Sequence, residues 1–356
     1  MIRKAIQKSF IFTVILLFIL SILNPVFVIK VGHRAKMIQG LYQHRNNDFD
    51  VVLLGSSHMN SSINPNMLWK QYGITSFNYG TGGQPIDVTY FLLKEILKNH
   101  KPHIVVVDLY YLGLTDEFGN EAYIRYVLDN MRFSKNKVEA IVNTTPKSRW
   151  IGYLFPILKY HYRWKGLKEE DFKYDSASSY YTKGFGAGTQ LYGKNRLANV
   201  STNERAEIPQ KTKKYLYKFI ELSKKDKFKL VFTVAPHDYQ STANRENWVK
   251  EPAKMFNTAA DIAKENGISF VNYCSKEKFE EIGFDFKTDM FNEGHMNIWG
   301  SNKVTADFGK YLNYKFKLAD HRGDTRYVQW ENDYKQYFAS QANVINLKRG
   351  FTHGTK

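Results

Sequence analysis

The segment Asp50-Val51-Val52-Leu53-Leu54-Gly55-Ser56-Ser57-His58 decides how this chain is read. Four consecutive apolar residues are too few for a buried helix. Gly55 and two serines close the run as a strand entering a turn. His103-Ile-Val-Val-Val-Asp-Leu109 repeats the pattern without polar alternation, as a strand covered on both faces of a parallel sheet would. Between them, Ile74–Tyr79 reads as another strand, and Leu92, Leu93, Ile96 and Leu97 recur at helical spacing. The alternation resumes with a helix face at Tyr215–Ser223 and a strand at Lys229–Ala235. Pro252 opens a helix that Gly267 ends, Ile268–Tyr273 is the next strand, and Ser301 is expected to cap a last helix reaching about Asn313. This rhythm predicts an α/β fold, a doubly wound, mainly parallel sheet flanked by helices.

Ahead of that domain, Arg3, Lys4 and Lys8 precede an apolar run from Ser9 to Leu23 that resumes from Val26 to Ile29. About 20 apolar residues are enough for one bilayer crossing, so residues 1–30 are expected to form one transmembrane helix. A cleaved signal peptide competes with this reading, but no small-x-small cleavage site follows the run. Lys30, Arg34 and Lys36 balance the basic start, so the flanking charge gives only a weak preference for orientation. The expected arrangement is single-pass in the cell membrane, with the globular part extracytoplasmic.

Residues 31–48 read as a basic juxtamembrane segment and 49–320 as the α/β domain. An insertion rich in aromatic and basic residues at about 115–205 is expected to lie over the sheet edge, and 321–356 reads as a polar C-terminal extension. An apolar share of 43% excludes a disordered chain. The net charge of +17 admits an anionic lipid, an acidic polymer or a nucleic acid as partner. An extracytoplasmic domain disfavours nucleic acid. The single cysteine, Cys274, excludes an intrachain disulfide and a cysteine-rich zinc module. No motif calls for a metal or a cofactor.

Three segments place small or reactive residues at strand ends, where open α/β sheets bind ligands. They are Leu54-Gly55-Ser56-Ser57-His58, Asn78-Tyr79-Gly80-Thr81-Gly82-Gly83-Gln84, and Asp289-Met-Phe-Asn292-Glu-Gly-His295-Met-Asn297. Singly, each also reads as a capped turn, a tight bend or a buried histidine. His237 follows the Lys229–Ala235 strand at the same edge and, with His58 and Gln84, is a candidate for lining a pocket.

In this order the three segments resemble the SGNH (GDSL-type) hydrolase superfamily. The likeness is to membrane-anchored members that acylate cell-envelope polysaccharides or assist teichoic acid D-alanylation. Gly55-Ser56-Ser57-His58 followed by Ser62-Ile63-Asn64-Pro65, and Phe77-Asn78-Tyr79-Gly80 leading to Gln84-Pro85, carry the likeness. It covers most of 50–112 and 228–314 and implies a flavodoxin-like sheet. It also implies Ser57 as nucleophile, His295 as base, and the backbone N–H groups of Ser57 and Gly83 as oxyanion donors. The family's aspartate three residues before the histidine is Asn292 here, with Asp289 three residues earlier. Either Asp289 serves, or a Ser–His dyad works slowly, or activity is lost. The family's Gly-x-Asn-Asp block is absent, and the corresponding strand ends Asp108-Leu109-Tyr110-Tyr111.

The resemblance implies an O-acyl esterase or acyltransferase, with acetyl the expected group, acting on an acidic or neutral cell-envelope glycopolymer. A membrane-bound acyl-donor protein would be its partner. The competing expectation is a catalytically weak or inactive protein of the same fold that binds or assembles an anionic polymer.

Overall fold

The computed structural model describes residues 2–43, 49–173, 180–196, 202–243 and 245–345. Parts of the juxtamembrane stretch, the insertion and the C-terminal extension read from the sequence therefore lie outside the described residues.

Five strands form one parallel sheet: β1 (Val51–Leu54), β2 (Ser76–Asn78), β3 (Ile104–Asp108), β4 (Lys229–Val234) and β5 (Ser269–Asn272), in the order β2-β1-β3-β4-β5. Val51 stands opposite Ser76 on one side and Ile104 on the other. Alternate residues serve opposite layers, as the pleat requires. Val52, Leu54, Val105, Val107 and Phe232 pack in one buried cluster with residues of the helices Ile86–Ile96, Gln210–Asp226 and Pro252–Glu265. Val51, Leu53, Ile104, Val106 and Val231 pack on the other face with the helices Pro65–Tyr72 and Ile298–Phe316. Both faces are covered, which explains the unbroken apolar strands and makes the sheet doubly wound.

Chain direction across the sheet reverses between β1 and β3, so their carboxyl ends flank the switch point where such folds take ligands. Two sizeable cavities lie away from this place. These, of about 610 and 550 Å³, are lined by His103, Lys227, Phe228 and Lys229, or by Lys229, Ile268 and Ser269, at the opposite ends of the strands.

Several outer elements depart from the sequence reading. The last helix of the α/β domain, Ile298–Phe316, is capped by Asn297, whose Oδ1 accepts the N–H of Trp299 and of Gly300 at 3.1 Å. Ser301 therefore lies inside the helix, and its hydroxyl donates to the carbonyl of Ser62 at 2.9 Å. Within the segment read as basic and juxtamembrane, Met37, Ile38, Leu41 and Tyr42 join the core. Residues 328–345 form a helix that packs on the body. Trp330 is buried, stacked on Trp69 at 5.9 Å and edge-on to Phe49. The insertion lies over the helix Ile86–Ile96, where Asn136 Nδ2 donates to the Phe91 carbonyl at 3.0 Å, and reaches the N-terminal helix. That helix, Ile2–Phe27, is long and apolar enough to cross a membrane.

Candidate active site

β1 delivers Ser57 to the switch point. Gly55 leaves the strand with φ +151°, and a Cβ there would stand 2.8 Å from the Cβ of Asp108 on β3, so only glycine fits. Ser56 caps the helix Ser57–Ser62, its hydroxyl accepting the N–H of His58 at 3.3 Å. Ser57 is thereby the first helical residue, and it is half-buried while its neighbours are buried.

His295 arrives on a tight hairpin before the last helix, closed by the N–H of Phe291 donating to the His295 carbonyl at 2.8 Å. Its base is held by Asn297, whose Nδ2 donates to the carbonyls of Thr288 and Met290 at 2.8 and 3.1 Å. The two segments are 238 residues apart in the chain and are tied together by the last helix. Ser301 bonds the Ser62 carbonyl, and the Asn64 N–H donates to Thr305 Oγ1 at 3.0 Å.

The result is a contact of 2.8 Å between Ser57 Oγ and His295 Nε2, and one of 3.0 Å between His295 Nδ1 and Asn292 Oδ1. The Asn292 oxygen also accepts the N–H groups of Gly294 and His295, both at 2.9 Å, which fixes which end of the amide faces the ring. Nδ1 must then carry the proton, leaving Nε2 free to accept the Ser57 hydroxyl. The structure thus brings Ser57, His295 and Asn292 together. Asp289, the first choice from the sequence to orient the ring, is engaged elsewhere. It is fully buried, and its Oδ2 takes Lys303 Nζ at 2.6 Å and the Asp285 N–H at 2.8 Å.

No family model and no curated protein matches the chain. Matching solved structures include a proposed acylhydrolase from Bacteroides fragilis and a GDSL-like lipase from Bacteroides thetaiotaomicron. Each is 13% identical to this chain with a TM-score of 0.34. The alignments cover 76% and 74% of this chain and 88% and 87% of theirs, respectively.

The loop after β2 lies against the nucleophile turn. Asn78 Nδ2 donates to the carbonyls of Met59 and Ile63 at 2.8 and 3.1 Å, and the Thr81 N–H donates to the Gly55 carbonyl at 3.3 Å. A Cβ on Gly80 would sit 2.7 Å from both the Ser56 carbonyl oxygen and the Asn60 nitrogen. Among the described residues, no hydrogen bond engages the N–H of Ser57 or of Gly83. Gly83 has φ +62° and lies under the ring of Tyr123, 2.0 Å from where its Cβ would be. Gln84 is buried, and both ends of its amide are used, on Thr81 of the loop and Thr89 of the following helix, at 2.9 Å each. It braces the loop and does not line an opening.

His58 and His237 lie behind the reacting pair, not on an open pocket wall. The His58 ring stacks on Tyr110 with centroids 3.4 Å apart, 4.9 Å from the His295 ring and edge-on to His237. Burial, then the neighbouring His295, His237 and Arg245, holds the His58 pKa well below its ordinary value. His295 is also lowered, first by burial, with Glu293 opposing and His237 and Arg245 adding to it. His237 is buried against Cys274, whose thiol also meets Arg196 Nη2 at 3.1 Å.

Sequence reading missed three members of this assembly: Tyr110, Arg245 and Tyr123. Tyr110 stands at the strand end where the resembled family carries its Gly-x-Asn-Asp block, the one signal that could have drawn attention to it. Below it, burial pushes the Asp108 carboxyl up to about 6, against the N–H of Ala235. Among the described residues, no group of three His, Cys, Asp or Glu side chains is placed to hold a metal ion.

Proposed function

We propose that the protein is a serine-dependent O-acyl esterase or acyltransferase, anchored by Ile2–Phe27 and working on an extracytoplasmic polysaccharide or teichoic polymer. The observation that carries this reading is the chain of contacts from Ser57 Oγ through the His295 ring to Asn292 Oδ1, at 2.8 and 3.0 Å. A serine hydroxyl is a weak nucleophile until a positioned base takes its proton, and this geometry supplies one. Ser57 Oγ attacks the acyl carbonyl carbon while Nε2 takes the hydroxyl proton. The resemblance assigns the tetrahedral oxyanion to the N–H groups of Ser57 and Gly83, donors of the kind that stabilise such a charge. Collapse expels the leaving oxygen, which takes the proton back from His295, and leaves acyl-Ser57. Water or a sugar hydroxyl then attacks the acyl carbon with His295 again as base, and collapse breaks the ester bond to Ser57 Oγ, which takes the proton back from His295.

The polymer, acetyl as the acyl group and the membrane-bound acyl-donor partner follow from the family resemblance, and the basic charge suits an anionic chain. The test is covalent labelling of the full chain in detergent with a fluorophosphonate, together with hydrolysis of p-nitrophenyl acetate. Ser57→Ala should abolish labelling and lower turnover by about 10⁶-fold, the scale seen when a triad serine is removed. Unchanged labelling in that variant would end the nucleophile assignment. Polymer binding by an unlabelled, inactive wild-type chain would instead establish the non-catalytic reading.

A further inference from the structure

Six large apolar side chains of the insertion stand in solvent: Phe133, Ile151, Leu158, Tyr162, Trp164 and Phe172 are each 54–77% exposed. They are not scattered over the surface. Each belongs to a segment that touches the end of the N-terminal helix. Phe133 lines a groove of about 350 Å³ with Leu17, Ser21 and Pro25 of that helix. The Ile157 N–H, beside Leu158, donates to Asn24 Oδ1 at 3.2 Å. Arg163, between Tyr162 and Trp164, donates to the Phe27 carbonyl, and Lys30 donates to the carbonyl of Asp171, beside Phe172. Ile151 lies on the short helix Trp150–Leu154, whose Leu154 also lines the groove. Exposed Lys135, Lys147 and Lys165 lie among these residues, with Arg149 and Lys159, which pair with Glu121.

The heights agree. A hydrocarbon core of about 30 Å takes about 20 helical residues, so a span beginning after Lys8 ends near Val28. The insertion touches the chain from Leu17 to Lys30, on both sides of that boundary. Apolar and aromatic side chains interleaved with lysine and arginine at this depth have the composition of interfacial membrane segments. We propose that residues 131–173 form a collar seated in the headgroup region of the bilayer that the N-terminal helix crosses, with anionic lipid as its partner. This rests on reading Ile2–Phe27 as a membrane span.

The collar is mechanically joined to the reacting groups. Glu121, on the helix Glu121–Leu128, takes Arg149 and Lys159 of the collar. From the same helix Tyr123 covers Gly83, and Arg34, just beyond the N-terminal helix, lies 4.3 Å over the Tyr126 ring. Seating the collar therefore holds the oxyanion loop at the membrane surface, where a membrane-bound acyl donor would present its acyl group.

The experiment uses the full chain in vesicles of phosphatidylcholine and phosphatidylglycerol. Leu158→Cys and Trp164→Cys are labelled with the fluorophore NBD, with Tyr314→Cys as the control, since Tyr314 is 86% exposed on the last helix. The wild-type chain, with Cys274 buried, gives the labelling blank. Lipids with a spin label high on the acyl chain should quench positions 158 and 164 and leave 314 unquenched. Vesicles of phosphatidylcholine alone should quench less. Equal, weak quenching at all three positions would overturn the collar. A blue-shifted but unquenched signal at 158 and 164 would overturn it in favour of a protein surface. Alkaline carbonate extraction of the same samples reports separately on the N-terminal helix, so a chain that washes off identifies failure of the anchor and not of the collar.

Discussion

The side-chain oxygen of Asn292 meets His295 twice, at the backbone nitrogen and at Nδ1, and holds the ring as an aspartate would while adding no charge. Orientation and tautomer are supplied, but stabilisation of the imidazolium formed during attack is not. In a serine triad the change from Asp to Asn lowers turnover by roughly 10⁴-fold, largely through the wrong tautomer. Here the tautomer is already correct, so Asn292→Asp should raise kcat by a smaller factor, about tenfold, at pH 7.5. An initial-rate assay with p-nitrophenyl acetate checks this, and a fall in kcat would show that the loop is built for the amide.

The same pair sets the pH profile. His295 works as a base only when neutral, and burial lowers its pKa from the ordinary 6.5. The acid limb of kcat/KM should therefore fall below pH 6.5 in the wild type and move upward in Asn292→Asp, because a nearby carboxylate favours the charged ring. Rate profiles from pH 4.5 to 8 measure both limbs. A limb at or above pH 7 in the wild type would contradict the environment described for the ring.

Stability should carry the mark of His58. Its pKa is depressed in the folded protein and ordinary in the unfolded chain, so below pH 6.5 the unfolded state binds the extra proton. Stability is then lost as pH falls below 6.5, at up to about 1.4 kcal/mol per pH unit for one such group. His58→Gln should flatten this slope between pH 6.5 and 5. Urea midpoints of the detergent-solubilised chain at several pH values test it, and an unchanged slope would assign the acid sensitivity to other groups.

The oxyanion assignment of Gly83 has its own test. Gly83→Ala places a methyl group against the Tyr123 ring and requires a left-handed backbone, which costs about 1–2 kcal/mol for an L-residue. Gly83→Ala with Tyr123→Ala removes the clash and leaves only the backbone cost. Turnover should fall about 10²-fold or more in the single variant and recover only partly in the double, if the Gly83 N–H faces the oxyanion. Full recovery would reduce Gly83 to a packing role.

Much of this was legible in the chain, for definite reasons. The strands at 51–54 and 104–108 announce themselves because burial on both faces removes every polar position between their ends. Ser57 and His295 were found through their neighbours, whose roles proved mechanical. Asn78 and Asn297 bond the backbone of the loops, and the backbone N–H of Asn64 bonds the Thr305 hydroxyl. Choosing between Asp289 and Asn292 was beyond sequence spacing, because it depends on Lys303, one turn into the last helix, reaching back to the carboxylate. The collar was hidden because its elements are short turns without periodicity. The C-terminal helix looked polar because its buried aromatic residues, Trp330 and Tyr337, carry polar tips and sit among glutamines and charged residues.

That helix gives the last prediction. Lys183 and Asp333 form a buried ion pair, with side chains 1% and 5% exposed, and the lysine lies over the rings of Tyr180 and Trp330 at 4.2 and 4.3 Å. The Lys183 carbonyl accepts the Asn78 N–H at 2.9 Å, so the pair connects the C-terminal helix to the strand that carries the oxyanion loop. Removing one partner strands a charge in a dry site, whereas removing both leaves an apolar contact. Lys183→Met should lower unfolding free energy by about 3–5 kcal/mol, and Lys183→Met with Asp333→Leu should restore most of it. Denaturant unfolding of the three proteins measures the difference. A double variant no more stable than the single would show that the lysine acts through its stacking on Tyr180 and Trp330, because the loss of that contact, unlike the stranded charge, is not relieved when Asp333 is removed.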